Sequence, residues 1–102
     1  MADPQIEARF TRAVRTFALL PEVIQERVGR AWLDLAGVRP DQLPEDLRAH
    51  LAELQRQWRA NEDEAREGKI MVCSHRLTVD RAIDEARWIV DAEHRLRGGC
   101  AP

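Results

Sequence analysis

Cys73, His75, His94 and Cys100 are the residues of this 102-residue chain whose types could ligate zinc. Their spacing is C-x-H, then a long gap, then H-x5-C, which is no recognised finger. Cys73 and His75 precede an expected helix of about 20 residues, and Cys100 follows it. Such a helix is roughly 30 Å long, so its ends cannot share one metal within a monomer. The same separation opposes a Cys73–Cys100 disulfide, which needs Cα atoms within about 7 Å. Asp91-Ala-Glu-His94 comes nearest to the Glu-x-x-His motif of di-iron bundles, but it occurs once and begins with Asp. Cys73, Ser74 and His75 are sequence neighbours, which is not the spatial pairing that a nucleophile and its base require. There is no phosphate-cradling glycine loop and no G-x-S-x-G. No catalytic residue, metal or cofactor is therefore expected. A metal-dependent or thiol enzyme stands as the third reading.

Arg9, Arg12 and Arg15 recur at i, i+3 and i+6 and place a positive strip beside the apolar face of a first helix. Phosphate binding requires a net positive patch. Here Asp and Glu interleave, and the formal net charge is −2. Pro21 also stands where a DNA-reading helix-turn-helix would have its short loop. Nucleic acid is not expected as the partner, and a regulator using this strip is the second reading.

Trp88 is the residue least accounted for. On a helix starting near Thr78, the apolar positions Val79, Ile83, Ala86, Ile89 and Val90 cluster on one side, with Leu96 further on. Trp88 falls roughly 150° from that centre, among Arg81, Asp84, Glu85, Asp91 and Arg95. Two covers for it remain open. One is the stretch "KIMVCSHR" or another helix of the same chain. The other is a partner, because Trp and Arg are favoured interface anchors. With the consecutive apolar residues Ile70, Met71 and Val72, this defines an expected interface of Trp88, Arg81, Asp84, Arg95, Ile70, Met71 and Val72.

The elements that position these residues are helical. Asp3-Pro4 opens the first helix, whose stripe is Ile6, Phe10, Ala13, Phe17 and Leu20. "LPEVIQERVGRAW" and "LPEDLRAHLAELQRQW" use the same start twice, each with a proline at its head. The second helix buries Ile24, Val28, Ala31 and Leu35 with Trp32 alongside, and Gly37 and Pro40 end it. The third buries Leu47, Leu51, Leu54 and Trp58, then reaches the less apolar Asn61 and Ala65. Thr78 caps the fourth, and Gly98-Gly99 stop it.

The expected fold is all-α: a four-helix-bundle-like single domain over residues 1–102. Its helices span about 4–19, 21–36, 44–67 and 78–97, with a short non-helical apolar segment over about 69–76.

Composition supports a globular chain, with 44% hydrophobic and 33% charged residues. No apolar run approaches the ~20 residues of a membrane span. The start "MADPQIEARF" has no basic, then apolar, secretory pattern, so the expectation is cytoplasmic. Fifteen arginines against one lysine, Lys69, suit a GC-rich bacterial or phage genome. The first reading is a protein–protein interaction module without chemistry of its own: an accessory subunit, adaptor or inhibitor of a larger bacterial or phage assembly. Its partner is a protein, with a second copy of itself among the candidates, and not a membrane.

Overall fold

The computed structural model describes residues 4–19, 22–59 and 66–98. Among them are five α-helices, one short 3-10 turn and no strands. Helix α1 spans Pro4–Leu19, α2 Ile24–Leu35, α3 Glu45–Arg59, α4 Arg66–His75 and α5 Val79–Leu96. The 3-10 turn is Pro40–Gln42. The all-α expectation holds.

Helix α1 buries Ile6, Phe10 and Ala13, with Val14 and Phe17 packed at the edge, as its 4-3-4 spacing requires. Leu20, Pro21 and the Asp3 cap lie outside the described residues. Helix α2 starts at Ile24 rather than at 21. Val23 precedes it in extended conformation without a side-chain cap. Arg27 Nη1 donates to Phe17 O at 3.0 Å and holds the corner between the two helices.

Helix α2 is the centre of the packing, touching α1, α4 and α5. Trp32 and Leu35 on it are fully enclosed, and Trp32 lies 5.5 Å from Trp58 of α3. Gly29 lets α4 approach closely. A Cβ there would collide with Ser74 and stand 2.9 Å from Met71 Sδ.

Gly37 does not end α2 with a left-handed residue; among the described residues only Gly98 has positive φ. The Arg9 guanidinium lies across Gly37 instead. The connection that follows contributes Val38 and Leu43 to the core. The Gln42 side chain accepts from Arg39 N at 2.8 Å and closes the 3-10 turn.

Helix α3 buries Leu47, Leu51, Leu54 and Trp58 as expected. It was expected to run to residue 67. Its described part runs to Arg59, and Arg66 belongs to α4, which packs against α3. Residues 60–65, with Asn61 and Ala65 among them, lie outside the described residues.

The non-helical segment over 69–76 is corrected: residues 66–75 form α4. Three consecutive apolar residues suggest extended chain when one helix face is buried. Helix α4 packs against both α2 and α3, so it buries two flanks. Ile70 enters the core, Met71 meets α2 at Gly29, and Cys73 Sγ reaches Gln57 O of α3 at 3.7 Å.

Helix α5 opens on Thr78, whose Oγ1 accepts from Arg81 N at 3.1 Å, and Gly98 follows its end at φ 79°. The expected core face of this helix is corrected. The buried residues are Ala82, Glu85, Ile89, Ala92, Glu93 and Leu96. Val79, Ile83 and Val90 are exposed. The helix is rotated by about 80° from the orientation that its apolar spacing predicts.

Candidate docking surface

The rotation of α5 decides where each candidate residue lies. Its buried side faces α1 and α2. Glu85 and Glu93 occupy that side and are 3% and 6% exposed, which requires partners for both carboxylates. His50 Nε2 lies 2.7 Å from Glu85 Oε1, and Arg81 approaches Glu85 at 3.7 Å. Thr11 Oγ1 donates to Glu93 Oε2 at 3.0 Å, and Arg97 pairs with it at 3.2 Å. With both carboxylates satisfied, α5 seats against its neighbours through Ala82, Ile89, Ala92 and Leu96 and leaves Val79, Ile83 and Val90 outside.

Trp88 stands about 90° from the centre of that buried side. It is half-buried inside the chain. Its ring packs edge-on against Phe10 of α1 at 6.0 Å and lies 4.4 Å from the His50 ring of α3. Within the chain its ring is covered from α1 and α3. Of the two covers that the sequence leaves open, the one from other helices of the same chain is present.

Of the other residues of the expected interface, Arg81, Asp84 and Arg95 share its helix face, whereas Ile70, Met71 and Val72 belong to α4. Ile70 is fully buried, and Met71 and Val72 are half-buried on α4. Arg95 forms two hydrogen bonds with Asp46 of α3. Arg81 leans on Glu85, and Asp84 is exposed. The Arg95 hydrogen bonds hold the Asp46 carboxyl below its ordinary range.

On the opposite flank of α5 the aliphatics are open: Val79 is 52% exposed, Ile83 37% and Val90 43%. The end of α1 and the start of α2 add Leu19 and Val23, 76% and 61% exposed. Between the α1–α2 corner and α5 runs an open groove of about 290 Å³. Its floor and walls are Phe17, Ile24, Ile83, Ala86 and Val90, with Arg87 and Asp91 at the rim. A second depression joins Val23 and Ile24 to Val79 and His75. Sequence reading assigned Ile83 and Val90 to the core and Trp88 to the surface. The misassignment has one cause: the two buried glutamates were counted as solvent-facing. Their i,i+4 arginines read as surface pairs, and the partners that draw them inward are on α1 and α3, 82 and 35 residues away.

The arginine strip is partly occupied. Arg9 Nη1 donates to Asp34 O at 3.3 Å, where α2 approaches its end and its carbonyls lack helix partners. Arg12 stands 3.8 Å from the Asp34 carboxylate. Burial raises the Asp34 carboxyl, while Arg12 and Arg9 pull it back down. Arg15 remains exposed beside Glu7 and Thr11 along an open depression on α1.

Among the described residues, no group of three or more His, Cys, Asp or Glu is placed to hold a metal ion. His75 pairs with Glu26 at 3.8 Å, His94 is exposed, and Cys100 lies outside the described residues. No described helix is long and apolar enough to cross a membrane. Comparison with family models, with curated proteins and with solved structures returns no match.

Proposed function

We propose that this chain is a protein–protein interaction module that docks through the groove between the α1–α2 corner and the outer flank of α5. It fits an accessory subunit, adaptor or inhibitor of a larger bacterial or phage assembly, acting by binding and without chemistry of its own. One observation carries the reading: Val23, Val79, Ile83 and Val90 are exposed around two depressions that share Ile24, one of them with an apolar floor. Single exposed aliphatics are ordinary, whereas grouped ones beside a groove mark interaction sites. Covering each is worth about 1 kcal/mol. Association costs on the order of 4–15 kcal/mol in lost freedom, so a partner must cover most of the face at once. The groove is bounded along one side by a helix and at its rim by Arg87 and Asp91, which suits an amphipathic helix as occupant.

The nucleic-acid reading is weaker on this geometry. Arg9 and Arg12 are both engaged with Asp34, and the chain is net acidic.

A photo-cross-linking residue placed at Val90, compared with one at the exposed Ala49 on α3, tests the proposal in the cells that make the protein. The expected result is a discrete adduct from Val90 alone, lost when Ile83→Glu is added. Equal labelling from both positions, or an adduct indifferent to Ile83→Glu, contradicts it.

A further inference from the structure

We infer that the occupant of this groove is α5 of a second copy of the chain, laid antiparallel across a two-fold axis. The inference rests on the docking reading above and names its partner. It follows from the spacing of the exposed residues and from the charges beside them.

Val79, Ile83, Ala86 and Val90 recur at intervals of four, three and four. That is the seam of a heptad repeat, offered on the flank of α5 that its own bundle leaves open. A two-fold axis between residues 83 and 86 sets Val79 opposite Val90 of the second copy, and Ile83 opposite its Ala86. The symmetric pairs repeat both contacts. Four apolar layers therefore come into register with none left over. Ala86 at the centre lets the two backbones approach.

The flanking positions select this orientation. On the outer side of the seam stand Asp80 and Arg87. In the antiparallel arrangement each Asp80 faces the other copy's Arg87, giving two opposite-charge pairs. A parallel arrangement would set Arg87 against Ala82 and Asp80 against His75 of the other copy, so Asp80 and Arg87 would not meet. Among the described residues neither Asp80 nor Arg87 has an ion-pair partner in its own subunit, so both are free to make these pairs.

On the inner side, the axis brings the apolar α1–α2 corner, with Val23 and Ile24, alongside the second copy's α5. This corner extends the contact beyond a single helix pair. A standard interface takes about 800 Å² from each partner. That is roughly an eighth of the 6444 Å² surface of one subunit.

Sedimentation equilibrium of the intact protein and a charge-swap series tests the inference, with circular dichroism confirming that each variant stays helical. The wild type is expected to be a dimer. Ile83→Glu should be monomeric at every concentration. Asp80→Arg and Arg87→Asp should each weaken the dimer about tenfold or more, because two attractive pairs become repulsive. The double variant Asp80→Arg/Arg87→Asp should recover most of that loss. A wild type that stays monomeric at hundreds of micromolar overturns self-pairing. So does a dimer indifferent to Ile83→Glu, or a double variant as weak as the singles. A monomeric wild type that still yields the Val90 cross-link to a different protein would overturn the second copy as occupant and keep the docking groove. Loss of that cross-link as well would overturn both.

Discussion

The two flanks of α5 both carry large apolar side chains and meet opposite fates. On one, Trp88 is covered by Phe10 and His50 from two different helices. On the other, Val79, Ile83 and Val90 have Phe17, Val23 and Ile24 beside them and stay open. Between the flanks lies a buried strip of alanines, glutamates, Ile89 and Leu96. The comparison shows that apolar residues on a helix can serve two partners. One set closes the bundle, and the other is left for whatever meets it next.

The largest effect expected from breaking this contrast is at Phe10. It is fully buried and supports Trp88. Phe10→Ala should cost about 3–5 kcal/mol in urea unfolding, through the lost apolar contact and the cavity left behind. Trp88 emission should shift to the red as its cover goes.

Glu85 comes next. Its carboxylate joins α5 to His50 of α3 inside the subunit. Glu85→Ala should cost about 1–3 kcal/mol, because it leaves a part-buried imidazole short of its partner. A cost near zero would mean that the carboxylate does not fix the rotation of α5.

Ile83 should be far quieter in the dilute, isolated subunit. Ile83→Ser there should stay within about 0.5 kcal/mol, the range of surface substitutions. A loss comparable with Phe10→Ala would show that the flank is covered within the chain after all.

Asp46 gives the smallest effect, and it depends on pH. The Arg95 hydrogen bonds lower its folded-state pKa below the ordinary 3.8. The contact therefore adds stability above that value and loses it as acid protonates the folded carboxyl. Asp46→Asn should be slightly less stable than wild type at neutral pH, and the difference should vanish as pH falls below the carboxylate range. A difference that grows in acid would contradict the assignment.

Much of the fold was legible because its information is local. The α1 and α3 stripes, the Thr78 cap and the stop at Gly98 all follow from spacing and end chemistry within one helix. The rotation of α5 and the helicity of 69–75 were not legible, because each depends on distant partners. Glu85 and Glu93 become core residues only when His50 and Thr11 arrive to satisfy them. Ile70, Met71 and Val72 become helical residues only when α2 and α3 flank them. The candidate site shifted for the same reason. The proposed site stays on the same helix but on its other flank, that of Ile83 and Val90 instead of that of Trp88.

Disulfide trapping across the proposed seam tests the central claim most directly. In a background with Cys73→Ser and Cys100→Ser, Val79→Cys and Val90→Cys chains are prepared separately and mixed under mild oxidation. An antiparallel seam brings position 79 of one copy against position 90 of the other. It keeps each position away from its own symmetry mate by about 16 Å along the helix. The expected result is a rapid cross-link in the mixture and none in either chain alone. Cross-linking of the Val79→Cys chain to itself, or none in the mixture, would contradict the account.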